Sequence, residues 1–77
     1  MKEAIILRDE RFKTRRHTWR IIIEMRNPYD QGRHYVICHY INDVLASTFY
    51  AGVASSPAVA AYNNQLYTLK VMRDIGI

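Results

Sequence analysis

The sequence contains a single cysteine, Cys38, so no disulfide can form within the chain. A lone cysteine is more typical of a reducing compartment than of a small secreted scaffold, which usually carries several disulfides. The apolar run near the start, residues 4–7, is too short for a secretory signal. We therefore expect a cytoplasmic protein.

The sequence also lacks a long hydrophobic run. Its longest segment without Asp, Glu, Lys or Arg covers 26 residues, 44–69, and is interrupted by Ser, Thr, Asn, Gln, Gly and Pro. A membrane-spanning helix needs about 20 predominantly apolar residues, so no membrane partner is expected. A chain of 77 residues is predicted to form one small domain, residues 1–77.

Catalytic and metal-binding motifs are missing as well. Cys38 and His39 are neighbours in a segment that reads as a strand, so their side chains should point to opposite faces. His34 and Cys38 share a face but would lie about 13 Å apart, too far for one metal ion. The seven carboxylates are scattered and the three glycines form no phosphate loop. We predict a protein that is not an enzyme and that needs no cofactor or metal.

Two segments in the first half read as β-strands. In residues 18–26 one face carries Trp19, Ile21, Ile23 and Met25, and the other carries Arg20, Ile22, Glu24 and Arg26. Three successive isoleucines favour a strand. After the turn residues 27–32, the segment 33–41 is apolar or aromatic on both faces, which suits a central strand. Asn42-Asp43 indicates a two-residue hairpin. Residues 44–51 are then predicted as a third strand, with a helix as the alternative.

A long helix is predicted over residues 56–74. Ser56 could cap its first turn, and Pro57 suits the first helical position. The apolar positions recur every three or four residues and should lie on the sheet: Val59, Tyr62, Leu66, Leu69 and Met72 or Arg73. The predicted fold is therefore α+β: a three-stranded antiparallel meander (18–51) packed against a long C-terminal helix, preceded by a basic segment (1–17) with a short strand or helix.

This plan resembles the small DNA-binding domains at the N-termini of some tyrosine recombinases. The matching features are Trp19 in the first strand and Ala60-Ala61-Tyr62 in the helix. The resemblance implies a sheet that enters the major groove. With a helical N-terminus the order would be similar to a double-stranded-RNA-binding domain, but that family places lysines where this sequence has Ser55-Ser56-Pro57-Ala58. Both resemblances rest on topology, which does not by itself define a function.

Positive charge is concentrated near the start of the chain. Residues 1–20 contain seven Lys or Arg and three Asp or Glu, a surplus that equals the net charge of +4 of the whole chain. Cations interleaved with Phe12 and Trp19 suit phosphate contact combined with base stacking, although a solvated charged face or a flexible arm explains them equally well. The predicted nucleic-acid-binding residues are Arg8, Arg11, Lys13, Arg15, Arg16, Trp19, Arg20, Arg26 and Arg33.

The uncharged segment 44–69 suggests a second covered surface. A solvent-facing helix usually carries charges on its outer side, whereas this one would present amides, small residues and tyrosine. We predict a protein–protein contact through Tyr50, Asn63, Asn64 and Tyr67, with a homodimer as its simplest form. A neutral helix exposed on a monomer is the alternative.

Two functions remain open at this point. The first is a non-enzymatic nucleic-acid-binding module, for DNA or RNA, that uses the basic patch. The second is a protein-binding adaptor or inhibitor, of the kind found in phages or mobile elements, that blocks a larger partner through its uncharged helix and third strand.

Overall fold

The computed structural model describes residues 4–75 and shows an α+β fold. Four antiparallel strands form one sheet in the order β1-β2-β3-β4, and one helix follows them. The elements are β1 (Ala4–Lys13), β2 (Thr18–Arg26), β3 (His34–Ile41), β4 (Val44–Tyr50) and α1 (Ser55–Asp74). The α+β class and the C-terminal helix are confirmed, whereas the predicted number of strands was too low by one.

The additional strand is β1, which covers a segment predicted as a short strand or helix. It pairs with β2 from Ala4↔Arg26 to Lys13↔Thr18, with a bulge between Ile6 and Arg8. Such pairing satisfies the backbone groups on the outer side of β2, which would otherwise be left without partners next to a buried strand. Residues 44–50 form a strand as predicted, and not the alternative helix.

The core lies between α1 and the two central strands. Ile21 and Ile23 of β2 and Ile37 of β3 are fully buried, and Ala58 and Tyr62 of α1 pack against them. The helix-covered face of β2 also carries Trp19 and Met25, because every second residue of a strand points to the same side of the sheet as Ile21 and Ile23. The alternation read from the sequence therefore assigns the faces of β2 correctly.

The start of α1 differs from the prediction. The N-cap residue is Ala54, which makes no side-chain cap hydrogen bond, and the helix begins at Ser55. Ser56 therefore lies inside the first turn, where its hydroxyl cannot act as the cap. Pro57 is the third helical residue, still within the turn whose backbone N–H groups lack helical partners. Proline is tolerated there for the same reason that favours it one or two positions earlier.

The apolar stripe of α1 is largely where the spacing places it. Tyr62 is buried, and Leu66 and Leu69 pack against the core cluster. The fully buried Ala58 was not predicted, because a small residue gives no periodicity signal. Its methyl group lets the start of the helix approach the sheet closely.

The opposite face of the sheet carries no helix in the part of the chain described. Ile22, Val36 and Cys38 form a small buried cluster there, with Tyr40 packed beside it. We call this side the open face. No helix of the described chain has the length and hydropathy needed to cross a membrane.

Candidate nucleic-acid interface

The hairpin that joins β1 to β2 is held by a network centred on Thr14. The Thr14 N–H donates to the carbonyl of His17 at 2.9 Å. The Thr14 hydroxyl oxygen accepts from the indole N–H of Trp19 at 3.1 Å and from the backbone N–H of His17 at 3.3 Å. These bonds fix the backbone on either side of Arg15 and Arg16, whose side chains point away from it into solvent.

Asn42 connects this hairpin to the turn between β3 and β4. Its side-chain oxygen accepts from the Thr18 N–H at 2.9 Å, and its own N–H donates to the Thr18 carbonyl at 2.8 Å. The Asn42 amide also donates to Nδ1 of His17 at 3.3 Å. Asn42 and Asp43 have φ of 53° and 67°, the left-handed geometry of the two-residue turn that the sequence predicted.

An open concavity of about 320 Å³ lies at this end of the sheet. Its charged or titratable lining residues are Lys13, Arg15, Arg16 and His17, which we call the hairpin cluster; Thr14, Thr18 and Asn42 complete the lining. Arg15, Arg16 and Lys13 are exposed, and none of the three takes part in an ion pair within residues 4–75. Cations without an internal partner are available for an external anion.

Arg20 lies on the open face and already has an anionic partner. Its Nε and Nη2 donate to the two carboxylate oxygens of Asp9 at 3.0 and 2.7 Å. This hydrogen-bonded pair lowers the pKa of Asp9 and raises the pKa of Arg20. The guanidinium also lies 5.4 Å from the centre of the Tyr40 ring. A phosphate would have to compete with Asp9 for this arginine.

Arg26, near the other end of β2, likewise forms an ion pair with a carboxylate. Its Nε donates to Glu24 Oε1 at 2.8 Å, and the ion pair raises the pKa of Arg26. The Cys38 thiol lies 3.9 Å from the same carboxylate oxygen. Burial raises the pKa of that thiol, which keeps it protonated and unreactive.

The remaining predicted cations are not gathered at one place. Arg11 lies directly across from Arg20 and extends the hairpin cluster along β1 on the open face. Arg8 pairs across with Ile23 and therefore belongs to the helix-covered side of the edge strand. Arg33 lies between β2 and β3, at the end of the sheet opposite the hairpin cluster. The structure thus brings Arg11, Lys13, Arg15 and Arg16 together and separates Arg8, Arg26 and Arg33 from them.

The aromatic residues beside the cluster have internal roles. The rings of Trp19 and Phe12 are nearly parallel, with centroids 6.5 Å apart, and His17 meets the Trp19 ring edge-on at 5.8 Å. The guanidinium of Arg73 covers Phe12 at 5.4 Å. Together with the hydrogen bond to Thr14, these contacts make Trp19 a support of the hairpin. The most exposed aromatic residue is Tyr29, at 84%, which the sequence reasoning did not select.

The four predicted protein-interface residues lie on two surfaces. Tyr50 pairs across with Val36 and so belongs to the open face, 64% exposed. Asn63, Asn64 and Tyr67 are exposed on the outer side of α1. All four are accessible, but one flat partner cannot contact both sets because the sheet and the helix layer lie between them.

The thiol and imidazole groups do not converge. Cys38 belongs to the open-face cluster, whereas His39 lies on the helix-covered face and its Nε2 is 2.6 Å from Oε1 of Gln65. Among residues 4–75, no three His, Cys, Asp or Glu side chains are placed to hold a metal ion.

No family model matches this chain, and no curated protein or solved structure is significantly similar to it.

Proposed function

We propose that this protein is a non-enzymatic nucleic-acid-binding module that contacts phosphate groups through Lys13, Arg15 and Arg16, with Arg11 extending the contact along β1. The observation that supports the proposal lies in the hairpin cluster: Lys13, Arg15 and Arg16 form no ion pair within residues 4–75 and line an open, polar concavity. Guanidinium groups form strong charge-assisted, often bidentate hydrogen bonds with phosphate oxygens.

A polyanion suits this arrangement better than a single small anion. Arg15 and Arg16 are adjacent and exposed at the tip of a hairpin, and Arg11 and Lys13 lie along one strand behind them. Successive phosphates of a nucleic-acid backbone could contact such a line of charge. Because Arg20 and Arg26 are neutralised by Asp9 and Glu24, we expect few phosphate contacts and modest affinity.

Salt dependence gives the sharpest test. Four phosphate contacts predict that log K falls against log salt with a slope of about −3.6 on duplex DNA, since each contact contributes about 0.9. Fluorescence anisotropy with labelled single-stranded DNA, duplex DNA and duplex RNA measures both affinity and slope. The DNA or RNA preference follows from the same titrations.

Charge-matched variants locate the site. The double variant Arg15→Ala with Arg16→Ala should weaken binding and reduce the slope by about two. The control, Arg33→Ala with Lys70→Ala, removes the same charge away from the hairpin and should change both much less. Absence of binding at about 50 mM salt, a regime in which phosphate contacts are strong, would refute the proposal. Equal losses in both double variants would contradict the site.

A second candidate is supported by a different surface. β4 is exposed along its whole length, and it and the outer side of α1 carry no charged side chain from residue 44 to 69. An adaptor or inhibitor, of phage or mobile-element type, could bind a larger protein there, with the hairpin cluster steering it to an acidic partner. In that case Arg15→Ala with Arg16→Ala should slow the protein complex without abolishing it. For either function we place the protein in the cytoplasm, where a lone reduced cysteine is usual.

A further inference from the structure

The two edges of the sheet differ in their charge. The β1 edge carries Arg8, Asp9, Glu10, Arg11 and Lys13, whereas the seven residues of β4 include no ionisable side chain except the Tyr50 phenol. Charged side chains on an edge strand oppose pairing with another strand, and an uncharged, exposed edge invites it. β4 therefore offers a pairing surface, and β1 does not.

The backbone of β4 determines which of its groups face outward. The Ala51 N–H donates to the carbonyl of Tyr35 on β3 at 2.8 Å. Backbone groups alternate in direction along a strand, so residues 47, 49 and 51 point towards β3. Thr48 and Tyr50 consequently point their N–H and C=O groups away from the sheet, where the described chain provides no strand to receive them.

We propose that β4 pairs antiparallel with β4 of a second copy, around a two-fold axis at Phe49. This register places Thr48 of one copy opposite Tyr50 of the other, so that about four interchain hydrogen bonds form between their outward-facing groups. The two four-stranded sheets then become one continuous sheet.

Side-chain facing supports the same register. Thr48 and Tyr50 both lie on the open face, because they pair across with Cys38 and Val36. Phe49 lies on the helix-covered face opposite Ile37 and is 47% exposed. At the axis, Phe49 of one copy would lie opposite Phe49 of the other in a non-hydrogen-bonded pair, the antiparallel arrangement with the shorter Cα–Cα distance of about 4.5 Å. Aromatic cross-strand pairs are among those that stabilise sheets.

Two edges of another molecule could pair with β4, namely its β4 and its charged β1. Charge favours β4 of the second copy. Pairing β4 with β1 of another molecule would desolvate several charges opposite a strand that has none, and it would build open filaments because the contact is not self-complementary. Pairing β4 with itself closes after two copies and buries no ion.

The area indicates a reversible dimer. The exposed parts of Phe49 and Tyr50, 47% and 64% of the two residues, amount to roughly 170–280 Å² per copy when an aromatic side chain buries about 150–250 Å². Leu45 and Val53 lie near the same contact, 50% and 68% exposed. For both copies Phe49 and Tyr50 supply roughly 340–560 Å², well below the about 1,200 Å² at which standard specific interfaces begin, so the dimer should be weak and its dissociation measurable by dilution.

Proline substitution tests the outward-facing N–H. Thr48→Pro removes a donor that no strand of the described fold uses, so the monomer should keep its circular dichroism spectrum, while two interchain hydrogen bonds are lost. We expect the dimer dissociation constant from sedimentation velocity to rise tenfold or more. Thr48→Ala keeps the N–H and removes only the side-chain contact with Tyr50, so it should raise the dissociation constant less than Thr48→Pro does.

Disulfide trapping tests the axis without relying on the proline variant. Phe49→Cys should form an interchain disulfide under mild oxidation, since the paired Cα atoms fall within the 4.4–6.8 Å range that a disulfide needs. Ser47→Cys, on the same face, would lie opposite Ala51 and should not cross-link. The native Cys38 is 2% exposed and serves as an internal control.

The outcomes separate the alternatives. A concentration-dependent dimer that Thr48→Pro dissociates and Phe49→Cys traps supports the proposal. A protein that stays monomeric at the highest soluble concentration overturns it, as does a dimer that tolerates Thr48→Pro or cross-links through Ser47→Cys. Growth of open filaments would assign β4 to the β1 edge of another molecule and would also overturn it.

Discussion

Replacing Tyr62 by Phe should destabilise the fold by removing one buried hydrogen bond. The Tyr62 side chain is 1% exposed, and its hydroxyl donates to the carbonyl of Ile21 at 3.1 Å. Phe keeps the ring and its packing against the core, so the loss is that of the hydrogen bond, about 1 kcal/mol. For a domain of this size, that free energy corresponds to a decrease of roughly 4–8 °C in the melting temperature.

The alkaline range makes the prediction more specific. Burial, helped by the nearby carboxylates of Glu10 and Asp9, raises the pKa of Tyr62 to about 12 from an ordinary value of 10.0. Between these two pH values the unfolded chain loses the phenol proton and the folded chain keeps it. The contribution of the Tyr62 phenol to the free energy of unfolding is therefore complete below pH 10 and decreases as the pH rises towards 12. Because one pH unit corresponds to about 1.4 kcal/mol, the advantage of the wild type over Tyr62→Phe should disappear near pH 11.

Urea unfolding followed by circular dichroism measures both effects, at pH 7 and at several values between about 9 and 11. Tyr67→Phe is the matched control, because Tyr67 is 70% exposed and lies on the outer side of the same helix. It should have the stability of the wild type at pH 7 and the same pH dependence. Equal stability of Tyr62→Phe and wild type at pH 7, or a difference that stays constant into the alkaline range, would refute the assigned role of the hydroxyl.

Two further substitutions test an ion pair between β1 and β2 and the packing of α1 on the sheet. Asp9→Asn should lower the free energy of unfolding at pH 7 by about 0.2–1 kcal/mol, the range for a solvent-accessible ion pair. Arg20 holds the pKa of Asp9 below its ordinary 3.8, so the stability difference between wild type and Asp9→Asn should persist above pH 3.8 and vanish as the pH falls through the lowered pKa. Unfolding curves at neutral and at acidic pH measure this difference. A difference that remains in acid would contradict the ion pair. Ala58→Leu should cost about 1–3 kcal/mol by overpacking a fully buried helix–sheet contact, whereas Ala60→Leu, at an exposed position of the same turn, should cost little in the same assay.

Sequence reasoning was most successful where burial imposes a local pattern. The alternation of Trp19, Ile21, Ile23 and Met25 identified the helix-covered face of β2, because a strand with one face on a helix must repeat every second residue. Asn42-Asp43 identified its turn for an equally local reason: both residues tolerate positive φ. The spacing of Tyr62, Leu66 and Leu69 likewise identified the buried side of α1.

The same reasoning failed where the determinant lies elsewhere in the chain. β1 is exposed along almost all its length, so it has no buried face to reveal its period. It becomes a strand because β2 needs a partner on that side. The Ser56 cap was wrong because the N-cap lies two residues earlier, at Ala54, and the helix begins at Ser55.

The candidate site shows the same division. The sequence located the basic segment, but it could not separate arginines with internal partners from those without. Asp9 lies across from Ile22, on the face that also carries Arg20, only because the two strands pair in that register. Asn42 reaches Thr18 across 24 residues, a contact without a local signal.

The sequence by itself determined the alternating and helical hydrophobic patterns, the turn chemistry and the lack of charge from residue 44 to residue 69, since each of these is set by neighbouring residues. The tertiary structure alone decided which cations stay unpaired, which backbone groups of β4 face outward and where the hairpin cluster meets Asn42. Those properties depend on strand order and register, which arise when distant segments bury their backbone and apolar surfaces together.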